Sequence, residues 1–409
     1  MKNSETDIIY LDFAKAFDKV DHKLLLKKVR HFGIGGKVYE WIKAFLSDRI
    51  QTVVVDGHKS RPTIVISGVP QGTVLGPILF LIYINDLETC TEDSTASSFA
   101  DDTRLTHQIE YTKDTESLQS DVNHVIKWST ENNMELHEKK FEYLSYRLPV
   151  CIKLSDALPF LSSITSYKTP SDIEISRKSI VRDLGVYLSD NYTWGPHINK
   201  MVNSSRKLVS WILGVFRDRS KAVMLQLYKS LIRSKLEYCC PLWDPWLVQD
   251  IQTIEDVQRH FTNRISGMSN MTYWERLSAL NLYSLQRRRE RYILIHTWKI
   301  NRGLVPNDLH MTFIEHRRHG TQAKVPALNR EATAKAKTCY DNSFHVKAAR
   351  LWNILPSHTK NFESLEAFKT SIANFLKRIP DRPPVTGYST ANHNSLLDWF
   401  NQSGGLQLM

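Results

Sequence analysis

The chain has 409 residues, 42% of them hydrophobic, which is ample for real cores and excludes a disordered polymer. Lys and Arg number 54 against 43 Asp and Glu, and the net charge of +11 favours a polyanionic partner, nucleic acid first. The five cysteines (Cys90, Cys151, Cys239, Cys240 and Cys339) show no Cys-x-x-Cys spacing, and their odd count argues against a disulfide framework and fits a reducing compartment.

His316 and His319 lie far from paired cysteines, so no zinc knuckle is visible, and they read as surface residues. The polar, acidic N-terminus lacks a signal-peptide pattern. The longest apolar run, Val74 to Ile84, contains Gly76-Pro77 and is too short to span a bilayer, so no membrane partner is expected. The length itself suggests about two or three domains.

Ile8 to Phe13 reads as a buried strand ending in an acid, Asp12, after which Ala14 to Asp18 turns into a helix. Asp21 to Arg30 and Val38 to Leu46 carry amphipathic patterns, as helices covering a sheet do. Gln51 to Val55 and Thr63 to Ile66 read as two strands about a loop longer than the tight two-residue type. Ser67-Gly68-Val69-Pro70-Gln71-Gly72 is rich in turn residues and opens onto an apolar stretch, Val74 to Leu87, that reads as a buried helix. Such a loop brings backbone amides near a phosphate or base, although plain turns look the same.

Ser97 to Ala100 and Thr103 to Thr106 read as the arms of a hairpin that holds Asp101 and Asp102 at its turn. Asp pairs are common at turns for their backbone hydrogen bonds, so the pair alone defines no site. A buried carboxylate pair is costly unless a cation neutralises it, and that chemistry points to a metal site completed by a third acid, Asp12.

Leu118 to Trp128 is a further covering helix, and Leu144 to Tyr146 returns the chain to the sheet. Cys151 to Thr169 is irregular, broken by Pro159 and then Pro170, and Ile180 to Leu188 is strand-like. Beyond Trp194 the period becomes helical, in Ile198 to Phe216, Ala222 to Leu236 and Asp250 to Ile265. Gln286 to Tyr292 is the densest basic run. A solvated helix face is the preferred reading of it, ahead of a nucleic-acid track. Residues 317 to 340 read as a linker, Phe344 to Leu376 as helical, and the tail after Arg382 as a fraying end.

An acid at a strand end, a glycine-rich loop before a helix, and an Asp pair on a hairpin follow one another within about 90 residues. This order resembles a reverse transcriptase of the non-LTR, long interspersed retrotransposon type. Its motifs run through Tyr10 to His22, Ser67 to Pro77 and Phe99 to Asp102. Leu136 to Glu142 is similar to the family's Leu-Asn-x-x-Lys-Thr-Glu segment, with His137 and Phe141 departing from it. Asp183-Leu184-Gly185-Val186 with Trp194 and His197 resembles the primer-holding hairpin, and Phe344 to Pro356 a C-terminal block of such elements.

The resemblance implies an α+β polymerase palm with partial fingers over residues 1–195, its sheet covered by helices. A helical thumb over 196–300 and a linker with a small helical region over 301–409 would follow. It implies an RNA-directed DNA polymerase that takes an RNA template, a DNA primer and deoxynucleoside triphosphates, with Mg²⁺ as cofactor and Mn²⁺ as its substitute. Asp12, Asp101 and Asp102 would be the catalytic, metal-binding acids, joined by the Phe13 carbonyl. Phe17 would lie under the incoming sugar and exclude a 2′ hydroxyl, and core packing is the other reading of that ring. Gln71 and Gly72 would meet template and nucleotide. Lys140 would face the pyrophosphate, though it reads equally well as a surface lysine.

The resemblance also implies that fingers strands, an endonuclease and a Cys/His knuckle belong outside this chain, and that its work is nuclear after assembly with RNA in the cytoplasm. The alternative expectation is a remnant that binds nucleic acid without catalysis. Oligomeric state is not legible in the sequence.

Overall fold

In the computed structural model, residues 5–146, 166–317, 320–328, 334–381 and 394–402 are described. The readings made for most of Cys151 to Thr169, for His319 and for residues 382–393 lie outside them. The chain divides into two compact units, one of residues 2–185 with 189–192, the other of residues 186–188 with 193–409.

The first unit is built on a five-stranded sheet. Its strands are β1 (Glu5–Leu11), β6 (Thr95–Phe99), β7 (Asp102–Ile109), β8 (Glu142–Tyr146) and β9 (Ser176–Lys178), in the spatial order β6-β7-β1-β8-β9. The central pairs are antiparallel, with Leu11 opposite Thr103 and Ile8 opposite Leu144. Side chains alternate across a sheet, and the odd-numbered residues of β1 face a core of Ile9, Leu11 and Phe13.

Helices α1 (Ala16–Lys19), α2 (His22–His31), α3 (Gly36–Leu46), α4 (Leu75–Ile84) and α5 (Thr112–Glu131) supply much of the rest of that core, including Leu25, Ile42, Phe80 and Val122. The even-numbered face of β1 is left for Tyr10 and Asp12. Helix α2 starts at Asp21, whose Oδ1 accepts from the N–H groups of Lys23 and Leu24 at 2.8 and 2.9 Å, an N-cap that makes this acid structural.

Between α3 and α4, β2 (Ile50–Gln51) pairs with β5 (Thr63–Ile64), and β3 (Val54–Val55) with β4 (His58–Lys59). The inner pair closes on a tight two-residue turn, contrary to the longer loop expected. Asp56 and Gly57 both take positive φ (49° and 83°), the handedness that matches strand twist. Helix α4 buries one face only, since Ile78 and Leu81 are about half exposed. Strand β10 (Ile180–Asp183) ends the unit's regular structure.

The second unit is mainly helical and contains two apolar clusters. One gathers Ile198, Ile212, Tyr228, Trp243 and Phe261; the other gathers Trp298, Trp352, Phe368 and Leu376. The basic run Gln286 to Tyr292 is a correction to the solvated-face reading. It lies in the helix Leu285–Asn301, and Arg287, Arg289 and Glu290 are at most 1% exposed. Arg289 Nε donates to Asp244 at 2.6 Å and Arg288 pairs with Glu237, so carboxylates on other helices draw these guanidiniums inward.

The 317–340 region is likewise more than a linker. Phe313–His316 pairs with Gly320–Ala323, and Ala334–Asp341 is a helix. His316 is exposed, as read. No described helix is long and apolar enough to cross a membrane.

Candidate active site

Strand β1 ends at Leu11, opposite Thr103 of β7, and the antiparallel register carried one step further sets Asp12 beside Asp102. The hairpin joining β6 to β7 closes at Ala100-Asp101, with Phe99 opposite Asp102 and Ala100 at φ 53°. Asp12 and Asp102 thus come from the adjoining ends of two central strands, and Asp101 occupies the turn itself. Both strand-end acids line one cavity of about 460 Å³, together with Tyr10, Arg104, Lys140 and Asp183.

Asp102 titrates above the ordinary carboxylate range, first because of burial and then because Asp101, Asp183 and Asp12 repel its charge. Negative charge is therefore concentrated at this end of the sheet. Lys140 answers it: its Nζ donates to Asp12 Oδ2 at 2.9 Å, while the Asp12 carbonyl accepts from the His137 N–H at 2.8 Å. Among the described residues no three Asp, Glu, His or Cys side chains converge into a ready cation cage. The hard oxygen donors of Asp12, Asp101 and Asp102 nonetheless suit a divalent cation, and their mutual repulsion is what such an ion would relieve.

The glycine-rich loop is docked on the segment that follows Asp12. Gly68 N–H donates to Val20 O at 2.8 Å and Val69 N–H to Phe17 O at 2.9 Å. Ser67 Oγ donates to Asp18 O at 2.8 Å. Gly68 is required on two counts: its φ is 84°, and a Cβ there would lie 2.8 Å from the Asp18 backbone. Gly72 takes φ 77° in open space, so it serves conformation alone. Gln71 is exposed, and its amide donates to Asp18 Oδ1 at 3.0 Å.

Phe17 is half-buried and stacked on Phe80 of α4, the ring centroids 4.2 Å apart. Phe13 is buried and meets Trp128 edge to face.

Two partnerships escaped the sequence reading. Arg104, two residues beyond Asp102, forms an ion pair with Asp183, which fastens β10 over the face that carries the acids. Asp121 of α5, 1% exposed, accepts from Glu92 N (2.8 Å), Asp93 N (3.2 Å) and both Ser94 N and Oγ (2.7 and 2.6 Å). It thereby anchors the lead-in to β6. Neither has a local motif, since each pair is joined by tertiary contact alone.

A sheet with acids at its strand ends, helices across one face and an open cavity on the other is the arrangement expected of a polymerase palm. The model of the family described as reverse transcriptase (RNA-dependent DNA polymerase) matches residues 2–188. That match spans the whole sheet unit up to β10, and the proteins the chain is similar to are polymerases of non-LTR retrotransposons.

The chain is 28% identical over 281 residues to the RNA-directed DNA polymerase from mobile element jockey of Drosophila melanogaster, covering 65% of this chain and 29% of that protein. It is 24% identical to the probable RNA-directed DNA polymerase from transposon X-element of the same fly, over 63% of this chain and 28% of the relative. A 93-residue stretch is 33% identical to the Pol polyprotein of the type-1 retrotransposable element R2 of Popillia japonica, 23% of this chain and 15% of that one. The chain thus spans less than a third of the length of these relatives.

Among solved structures, telomerase from Candida albicans in complex with a TWJ fragment of telomeric RNA aligns at 10% identity and a TM-score of 0.37. That alignment covers 68% of this chain and 49% of the other.

Proposed function

We propose that this chain is an RNA-directed DNA polymerase, extending a DNA primer on an RNA template with deoxynucleoside triphosphates. The observation that carries the reading is the meeting of Asp12 and Asp102 in one cavity, with Asp101 at the adjoining turn, inside a reverse transcriptase domain. Reverse transcriptases use divalent metal ions. Mg²⁺, or Mn²⁺ in its place, would be held here by Asp12, Asp101 and Asp102 with the Phe13 carbonyl. When bound it supplies activation of the primer 3′ oxygen and neutralisation of the triphosphate.

The protein's own groups do the positioning. Phe17, braced by Phe80, sets a flat wall beneath the sugar, where a 2′ hydroxyl would clash. Gln71 and Gly72 face template and nucleotide from a loop pinned to Asp18 and Val20. Lys140 is the ammonium beside the carboxylates and supplies positive charge toward the leaving pyrophosphate. The proposed setting is a chromosomal target in the nucleus, after assembly with RNA in the cytoplasm.

The test is primer extension on oligo(dT)-primed poly(rA) with Mg²⁺, comparing the chain with Asp101→Asn. Incorporation by the wild type that is lost in the variant supports the reading. Absence of incorporation by both, with the primed template still bound, favours a nucleic-acid-binding remnant.

A further inference from the structure

Arg288 and Arg289 of the basic run are held in ion pairs, and the helical unit carries a second group of arginines around an open cavity. A cavity of about 660 Å³ there is lined by Arg206 and Ser210 of the helix Gly195–Val215, Arg259 and His260 of the helix Val248–Thr262, then Asn263, and Arg276 of the helix Tyr273–Leu280. Arg206 and Ser210 stand one helical turn apart, as do Arg259 and Asn263, so each pair shares a face.

Three guanidiniums meet a single carboxylate in this lining. That carboxylate, Asp256, is paired with Arg259. Arg206 and His260 form no ion pair among the described residues.

Arg276 is the informative member. It is 5% exposed, and every acceptor it reaches is neutral: Thr262 Oγ1 at 3.3 Å, Asn263 Oδ1 at 3.3 Å, Met271 O at 2.6 Å and Arg259 O at 3.3 Å. Its guanidinium and that of Arg259 flank the ring of Tyr273, at 5.9 and 4.9 Å from the centroid. Burial, along with the charge of Arg259, holds Arg276 below the usual guanidinium range despite the Tyr273 contribution in the other direction. A buried cation beside a like charge, with hydrogen bonds but no counter-ion among the described residues, is a cost the fold bears. An anion in the adjoining cavity would offset it, and a phosphate suits guanidinium forks best.

We infer that the Arg206–Arg259–Arg276 cavity is a phosphate-binding site, and that its natural occupant is a backbone phosphate of a nucleic-acid strand. Ser210, Asn263 and His260 add neutral or titratable donors around the charged forks, so the site grips the backbone without reading bases. The identity of the strand rests on the polymerase reading; the anion site does not.

The experiment measures binding of a fluorescent RNA–DNA duplex to the full chain by anisotropy across a salt series. The Arg206→Ala/Arg259→Ala variant should bind about tenfold more weakly and show a salt slope shallower by about one, for the phosphate no longer neutralised. Arg276→Lys, which keeps the charge and loses the fork, should fall between that variant and wild type. The Lys377→Ala/Arg378→Ala variant removes equal charge outside the cavity and should bind as wild type does. Thermal melting confirms that each variant is folded.

Unchanged affinity and slope in a folded Arg206→Ala/Arg259→Ala variant overturns the site. Equal displacement of the duplex by millimolar inorganic phosphate and by unlabelled duplex overturns the strand as occupant. A chain that binds through these arginines yet never extends a primer refutes the polymerase reading and leaves this one standing.

Discussion

Lys140 Nζ lies 2.9 Å from Asp12 Oδ2, so the cation nearest the first acid of the site belongs to the chain itself. An incoming divalent ion has to compete with that ammonium. Lys140→Met should therefore tighten Mn²⁺ binding by the free protein severalfold, measured by titration calorimetry. The side chains are 60% and 41% exposed, so stability should change by less than about 1 kcal/mol. Unaltered Mn²⁺ affinity would show that the pair does not guard the site.

Asp121 carries four hydrogen bonds to the segment that leads into β6. Burial pushes its carboxyl up, but the Ser94 hydroxyl and the backbone N–H groups of residues 92–94 outweigh that and hold it below the usual range. Asp121→Ala should cost about 3 kcal/mol in urea unfolding, since it strands buried donors. The Asp121 contribution is present above the unfolded carboxylate pKa and fades as pH falls, so the gap between variant and wild type should narrow in acid.

Gly68 and Gly72 both take positive φ, yet only Gly68 is hemmed in by backbone. Gly68→Ala should destabilise by more than about 2 kcal/mol, because neither the Asp18 nor the Phe17 main chain can retreat cheaply. Gly72→Ala should cost about 1 kcal/mol, for conformation alone. Equal melting temperatures for the two variants would contradict this distinction.

Phe17→Ala removes the ring stacked on Phe80 and should raise ribonucleotide incorporation relative to deoxynucleotide, while lowering stability by about 2 kcal/mol. Phe17→Leu, which retains bulk, should keep most of the discrimination. Loss of stability with discrimination intact would make Phe17 a packing residue and nothing more.

His197 is 5% exposed; its Nδ1 accepts from the Tyr187 N–H at 3.3 Å, and burial holds its pKa down at about 4. The unfolded chain thus binds a proton between about pH 6.5 and 4 that the folded form refuses. Stability of the helical unit should fall as pH drops through that window. His197→Gln, neutral throughout, should flatten the dependence, as followed by denaturant midpoint against pH.

Much of the sheet unit was legible because its signals are local. The strand ending at Asp12, the amphipathic covering helices and the Asp101-Asp102 turn each announce themselves within a dozen residues. What misled was charge density. Arg288 and Arg289 look like part of a solvated face, yet Glu237 and Asp244, some fifty residues upstream, draw them inward. Asp56-Gly57 reads as part of a longer loop because its second arm, His58-Lys59, carries no apolar strand pattern.

The sequence by itself determined the chemistry on offer, namely acids in a set order, a turn-rich loop and a basic balance, since residue type and spacing carry periodicity and motif. Only the tertiary structure decided which charges face which. It put Lys140 on Asp12 and Arg104 on Asp183, and it left Arg276 without a counter-ion among the described residues. Electrostatic energy depends on distance and burial between groups remote in the chain, and neither quantity exists until the chain has folded.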